Sequence, residues 1–261
     1  MSVVRKREMQ YPTCYRLSEE GLVPISEDTS GTDPRAELIH DQLRSLVMSQ
    51  RFSCLGAKAA LKAGQYWLGL YDEMASDRAT RSLTADLQAF SEREMQRDPD
   101  NRTLRTFIAT FTSPVCQDET SFESLVWRQL QALHDEDQSE HDWDPTVTTD
   151  PSDPHFAFSV GGRAYFVVGL HAAASRWARR FAWPTLVFNP HEQFDRLRAD
   201  GLFTRFRDQI RARDRALQHE LNPMLSNFGD ESEARQYAGR RVEDDWQCPF
   251  QPGSSDVTER D

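Results

Sequence analysis

Three of the seven histidines lie within residues 155–194, a stretch that also carries a cluster of arginines. His171 follows the apolar run 165–170 and precedes three alanines, so its imidazole stands where a predicted strand meets a loop of small residues. Small side chains let a planar group approach the backbone, and a neutral imidazole is a common ligand of haem iron. We therefore predict His171 as a metal ligand; the alternative is a histidine that only hydrogen-bonds a loop.

Two further histidines are candidates for the same chemistry. His191, in FNPHEQFDRLR, falls in the first turn of a predicted helix. The helix dipole disfavours a charged imidazole there, which would leave a neutral side chain. We predict a catalytic role for His191 beside the metal, and rank it second as an axial ligand; the alternative is a cap of the turn. His155 ranks third, because a histidine beside Pro154 is more typical of a surface position.

Arg176, Arg179 and Arg180 closely follow His171, and arginines outnumber acidic residues over 176–215 although the chain carries a net charge of -11. Guanidinium groups bind carboxylates in a bidentate fashion. The three arginines are therefore candidates for binding haem propionates or a substrate carboxylate. The ordinary interpretation of such a run is a solvated helix face, which we accept for residues 205–215.

The segment FSCLGAKAALKAG, residues 52–64, places Cys54 at the start of a predicted helix. A helix N-terminus lowers the pKa of a thiol, which suits a thiolate ligand or a nucleophile. A buried structural cysteine is the alternative. Lys58 and the free N–H groups of the same turn are candidates for binding an anion. We assign Cys54 and Lys58 to cofactor binding.

The C-terminal block, residues 222–250, supplies carboxylates that could hold a guanidinium group and a further cysteine, Cys248, that could ligate iron. The acidic candidates are Asp230, Glu231, Glu233, Glu243, Asp244 and Asp245. Most of these side chains are expected to face solvent, and the sequence does not identify which two carboxylates would bind the guanidinium group.

Hydrophobic periodicity predicts the elements that position these residues. Helices are predicted over 36–50, 79–97, 118–137 and 191–217, with a further helix starting within 52–64 and a break at Gly201. Strands are predicted over 65–74, 102–111, 156–160, 163–170 and 184–190. Gly161 and Gly162 join two of these strands as a hairpin. The fold class predicted is α+β, a mixed sheet with an antiparallel hairpin, packed by several helices, with the cofactor pocket between sheet and helices.

We divide the chain into a flexible arm over 1–34, one α+β domain over 35–252 and a disordered tail over 253–261. The net charge of -11 argues against nucleic-acid binding, because neutralising phosphates requires Lys and Arg. No apolar run reaches the roughly 18 residues that span a bilayer, and the N-terminus lacks the apolar region of a secretory signal. Four widely spaced cysteines without a CxxC pair favour reduced thiols and a cytoplasmic location.

Residues 52–64, 156–198 and 222–250 resemble the YqcI/YcgG family. Characterised members of that family are haem-dependent N-oxygenases that hydroxylate guanidine nitrogens of arginine-type substrates. The resemblance implies a haem b cofactor, held without covalent attachment since the chain has no CxxCH. It also implies dioxygen as oxidant, an external electron donor, and an amino-acid substrate oxidised at a guanidine or amine nitrogen.

Two other classes of protein remain open at this stage. One is a carrier or sensor that binds haem without oxygenating a substrate. The other is an α+β binding module without a cofactor, in which the histidines are structural. The substrate, the redox partner and the oligomeric state stay open as well, a homodimer included.

Overall fold

The structure is a computed structural model that describes residues 11–26, 31–98 and 101–253. Within these ranges, seven strands form one mixed sheet in the order β2-β1-β3-β4-β7-β6-β5. The strands are β1 Cys14–Ser18, β2 Gly21–Pro24, β3 Tyr66–Glu73, β4 Thr106–Ser113, β5 Phe158–Val160, β6 Arg163–Leu170 and β7 Thr185–Pro190. Strands β3 and β4 pair in parallel, whereas β4, β7, β6 and β5 pair antiparallel in succession.

Helices cover both faces of the sheet. They are α1 Pro34–Met48, α2 Leu55–Lys62, α3 Asp77–Met95, α4 Glu119–Asp137, α5 Glu192–Ala199, α6 Phe203–Gln218 and the short α7 Ala234–Tyr237, with a 3-10 turn at Trp177–Arg179. The α+β class, the hairpin and the helical periodicities predicted from the sequence are therefore confirmed. Both hairpin glycines have positive φ, as a two-residue turn between twisted strands requires. Gly201, φ +68°, separates α5 from α6 as predicted.

Side-chain alternation along the strands assigns each residue to one of two hydrophobic cores. Phe107, Val167 and Phe188 point towards α3 and α4 and belong to the larger, aromatic core. Their neighbours Ile108 and Val168 point to the other face, where α1 and α2 pack. Because successive residues of a strand face opposite sides, these two cores fix which strand residues can meet a given site.

The predicted flexible arm is wrong for residues 11–26. Strands β1 and β2 form a hairpin, and β1 pairs with β3, so this segment extends the sheet. Tyr15 is fully buried and its hydroxyl donates to the carbonyl of Pro12. The sequence does carry a signal for this hairpin: short runs of alternating apolar residues lie on either side of a Glu-Glu-Gly turn. The polar composition of the segment as a whole led to the prediction of a flexible arm instead. Residues 1–10 and 254–261 lie outside the described residues. Within the described ranges no helix is long and apolar enough to cross a bilayer.

Candidate functional site

A cavity of about 320 Å³ lies between the sheet and helices α1, α2, α5 and α6. Its size is at the lower end of the range for small-molecule sites, which is about 300–1,000 Å³. The apolar part of its wall includes Leu61, Ile108, Val168, Val187, Phe206 and Ile210. A few polar side chains reach the same cavity: Cys54, Arg105, Arg176, Arg179, Arg198, Asp214 and Glu233. An apolar cavity with a small number of convergent polar groups is the usual form of a ligand site.

Cys54 is the cavity residue best suited to ligate a metal. It caps the N-terminus of α2, and its Sγ accepts the backbone N–H of Ala57 at 3.4 Å. Burial raises the pKa of the thiol, against the opposing effect of the α2 N–H groups and of the Arg179 charge. The lowered pKa expected from the sequence is therefore wrong for the free thiol, because loss of solvent outweighs the helix terminus. Coordination by a metal would still deprotonate it.

Arg176 lines the cavity, but its guanidinium is already committed to carboxylates. Its Nη2 donates to Asp214 at 2.5 Å and its Nη1 to Glu220 at 3.0 Å. Both Arg176 and Asp214 are buried. This ion pair joins the segment after β6 to the end of α6, so it builds the wall of the cavity.

The guanidinium groups of Arg179 and Arg180 are also engaged, in hydrogen bonds to backbone carbonyl groups. Arg179 lines the cavity and donates to the carbonyl groups of Gly169, Gln236 and Tyr237 at 3.0–3.2 Å. Burial lowers the pKa of Arg179 to about 10. The guanidinium of Arg180 donates to the carbonyl of Ala174 and stacks over the ring of Trp177, 4.2 Å from its centroid.

Lys58 has a similar backbone role. Its Nζ donates to the carbonyl of Ser49 at 2.6 Å and to that of Gln50 at 3.4 Å, which ties α2 to the end of α1. Lys58 is not among the residues that line the cavity, although its neighbour Ala57 is.

His171 lies on the opposite face of the sheet from the cavity. It continues the alternation of β6 beyond Leu170, which faces the α1–α2 side, so its ring turns towards α4. There it stacks on Phe122 with a centroid distance of 4.2 Å. Its side chain is buried, and neither ring nitrogen has a hydrogen-bond partner among the described residues. Burial lowers the pKa of His171 to about 4.

This lowered pKa makes His171 a source of acid sensitivity. The folded pKa is about 4 against about 6.5 unfolded, so the unfolded chain takes up a proton first as pH falls below about 6.5. Stability is therefore lost from about pH 6.5 downwards until the folded-state pKa is reached. In His171→Phe we expect a smaller loss of the free energy of unfolding between about pH 7 and about pH 5, measured by urea denaturation. The exposed His155→Gln is the control, and an unchanged pH dependence in His171→Phe would contradict the interpretation.

His191 is held between two carboxylates. Its Nε2 lies 3.3 Å from Glu233 Oε1 and its Nδ1 lies 3.6 Å from Asp195 Oδ2. Burial alone would lower the pKa of His191, but the two carboxylates outweigh it and raise the pKa to about 9. The neutral imidazole expected from the helix dipole is therefore wrong: the ring is charged at neutral pH. His191 itself is not among the residues that line the cavity, whereas its partner Glu233 is.

Glu233 has one oxygen free. Its side chain is 7% exposed, and Oε2 has no hydrogen-bond partner among the described residues. Burial raises the pKa of Glu233, while the charge of His191 acts in the opposite direction. Of the six acidic candidates in the C-terminal block, Glu233 is the one that lines this cavity.

The remaining candidates lie elsewhere. Cys248 lines a separate open cleft of about 720 Å³, together with Asp230, Glu231 and Asp244. Burial raises the pKa of the Cys248 thiol to about 12. His155 is exposed, and its Nδ1 lies 3.2 Å from Oδ1 of Asp153. Among the described residues, no group of three or more His, Cys, Asp or Glu side chains is placed to hold a metal ion by itself.

Sequence reasoning missed Arg105. It precedes β4 and lines the cavity, and its Nη1 donates to Glu94 at 2.7 Å. Its Nε is buried without an acceptor among the described residues. Glu94 also lies 3.5 Å from Arg97, so one carboxylate serves two guanidinium groups. Arg105 is therefore better placed than the Arg176–Arg180 cluster to receive a carboxylate from a ligand.

The sequence model of the YqcI/YcgG family matches residues 43–251. That span covers most of the chain, including every side chain described at the cavity, so the protein belongs to this family. Comparison with curated proteins and comparison with solved structures each gave no match.

Proposed function

We propose that this member of the YqcI/YcgG family is a haem-dependent N-oxygenase. It hydroxylates a guanidine or amine nitrogen of an arginine-like amino acid with dioxygen and an external reductant. It acts in the cytoplasm, independently of nucleic acid and of a membrane. The single observation that carries the proposal is the lining of the apolar cavity, which contains both Cys54 and Glu233, a buried residue whose Oε2 has no partner among the described residues.

The cavity residues fit a haem group by the chemistry of their donors. A cysteine thiolate is an established protein ligand of haem iron, so a single cysteine such as Cys54 would be enough to hold the group. Cys54 lines the cavity, whereas His171 faces the other side of the sheet and both nitrogens of His191 face carboxylates. We therefore propose Cys54 as the ligand of the haem iron, in place of His171, which the sequence analysis favoured.

Haem, when bound, supplies the activation of dioxygen that the reaction needs. One oxygen atom enters the substrate nitrogen and the other leaves as water, with two electrons from the external donor and two protons from solvent. The chain's own contribution is to bind and orient. Arg105 provides a guanidinium N–H for a carboxylate, Glu233 provides an acceptor for the substrate's N–H groups, and the apolar wall excludes water from the space between.

Absorption spectroscopy tests this proposal. Protein produced with a haem precursor is expected to show a Soret band that shifts when L-arginine is added. With dioxygen and a chemical reductant, mass spectrometry is expected to detect a product heavier by one oxygen atom. Absence of a Soret band under every loading condition would overturn the haem assignment. A Soret band without a shift or turnover would instead identify a haem carrier or sensor.

A further inference from the structure

The Glu233 carboxylate is divided between two environments. Oε1 faces Nε2 of His191 at 3.3 Å, whereas Oε2 has no partner among the described residues. The residue is 5% exposed, so solvent does not readily supply the missing donor. Buried polar atoms in folded proteins are almost always paired, so an unpaired oxygen on a residue that lines a cavity has room for a hydrogen-bond donor from a ligand.

The charges around Glu233 favour a cationic donor. His191 lies between Glu233 and Asp195, and Asp195 also receives Nη1 of Arg198 at 2.5 Å. Tyr237, on α7, and Arg198 are also coupled electrostatically to Glu233, and the Tyr237 hydroxyl donates to the carbonyl of Tyr165. Asp195 is thus shared by two cations. The charges of His191 and Arg198 also act on Glu233, but burial still raises the pKa of this carboxyl, so the two cations do not fully offset its loss of solvent. A charged N–H donor forms a stronger hydrogen bond with a carboxylate than a neutral one does.

His191 fixes which oxygen is available. Its ring is buried and packs against Phe228 at a centroid distance of 4.4 Å, so it has little freedom to move. With its Nδ1 facing Asp195, the imidazolium can offer only Nε2 to Glu233. The carboxylate is therefore held through Oε1, which leaves Oε2 without a partner among the described residues at a position that lines the cavity.

We infer that Glu233 Oε2 receives a cationic N–H group of the ligand, a guanidinium or an ammonium, and that His191 is the positioning residue that holds this carboxylate. The inference rests on the proposed function in taking the cavity as the substrate site. Glu233 is thereby the specificity-determining residue among the six acidic candidates, a choice that the sequence alone did not make.

Matched cationic and neutral ligands test the inference. L-arginine is compared with L-citrulline, and L-lysine with L-norleucine, by isothermal titration calorimetry on the full-length protein. The wild-type protein is expected to bind the cationic member of at least one pair about tenfold more tightly or better. Glu233→Gln, which keeps the shape and removes the charge, is expected to abolish that preference while leaving the affinity for the neutral member unchanged.

Two further variants separate binding from folding. In the double variant His191→Gln with Glu233→Gln, neither charge is left buried alone, and the preference is again expected to be absent. Asp230→Asn, in the separate cleft, is the control and should keep the preference. Equal affinities for both members of each pair in the wild type, or a preference that survives in folded Glu233→Gln, would overturn the inference.

The positioning role of His191 has its own readout. In wild type the affinity for L-arginine is expected to stay constant between about pH 6 and about pH 8, because His191 remains charged below about pH 9 and its charge lowers the pKa of Glu233 against the effect of burial. In His191→Gln, burial acts on Glu233 without that counter-charge, so affinity should fall as pH falls. A profile identical to wild type would leave His191 with a structural role only and would contradict this part.

The outcomes for the two proposals are distinguishable. Calorimetry reports the cation preference whether or not haem is present, whereas the Soret band reports haem alone. A haem-loaded protein without a cation preference would remove the role of Glu233 and keep the haem assignment. A cation preference in a protein that never takes up haem would keep the role of Glu233 and remove the haem assignment.

Discussion

Replacement of Cys54 by serine is expected to cause the largest loss of haem among single changes in the cavity. We expect haem occupancy after purification to fall about tenfold or more. Any haem that remains should lack the red-shifted Soret band by which the ferrous carbon monoxide form of a thiolate-ligated haem is recognised. The reason is that Cys54 supplies the only sulfur among the residues lining the cavity, and a serine hydroxyl is a poor ligand for haem iron.

Serine is chosen because it separates ligation from folding. Cys54 caps α2 by accepting the N–H of Ala57, and serine is among the preferred residues at that position, so the helix should keep its cap. Thermal unfolding of apo Cys54→Ser should therefore resemble that of the apo wild type. Cys54→Ala would be less informative, because alanine also removes the helix cap. A loss of haem in that variant could then result from a loss of the fold.

Three matched variants decide between the candidate ligands. Cys248→Ser changes a sulfur that lines the separate cleft, and Cys116→Ser changes a buried sulfur outside both lining sets. Both are expected to keep haem and its spectrum. His171→Ala removes the ring that stacks on Phe122 and is also expected to keep the spectrum, although it should lower stability. Full occupancy with an unchanged spectrum in Cys54→Ser, combined with loss in His171→Ala, would return the ligand to His171.

The sequence predicted the fold largely through local signals. The apolar stripe of α4 and the Gly161-Gly162 turn each lie within one or two elements, so periodicity and turn chemistry identify them. The β1–β2 hairpin was missed because its burial depends on pairing with β3, about fifty residues further on. A strand that is stabilised mainly by a distant partner has a weak local pattern.

The site was less predictable because its geometry depends on long-range packing. The alternation along β6 shows that His171 and Leu170 face opposite sides, but not that α1, α2, α5 and α6 leave a cavity on the side of Leu170. The ionisation of His191 was misjudged for the same reason. Its partner Glu233 is 42 residues away, and a carboxylate within 3.3 Å outweighs a helix dipole. The position of Cys54 at a helix start was predicted correctly because that signal is local.

Replacement of Glu94 by glutamine is expected to produce the largest loss of stability. Glu94 has a side chain 2% exposed and faces two guanidinium groups, Arg105 at 2.7 Å and Arg97 at 3.5 Å. Removing the charge leaves two buried cations facing each other, and burial already lowers the pKa of Arg97, with the Arg105 charge acting in the same direction. Removal of one member of a buried ion pair costs about 3–5 kcal/mol, and we expect a loss of that size in the free energy of unfolding.

Urea denaturation measures this loss, and Glu92→Gln is the matched control. Glu92 lies on the same helix but is exposed, so its change should stay within about 0.5 kcal/mol. Adding Arg97→Met to Glu94→Gln should recover part of the stability, because one of the two uncompensated cations is removed. A loss below about 1 kcal/mol in Glu94→Gln would mean that the guanidinium groups find other partners or solvent. In that case Arg105 would not be held rigidly at the cavity, and its assigned role in receiving a carboxylate would lose its structural basis.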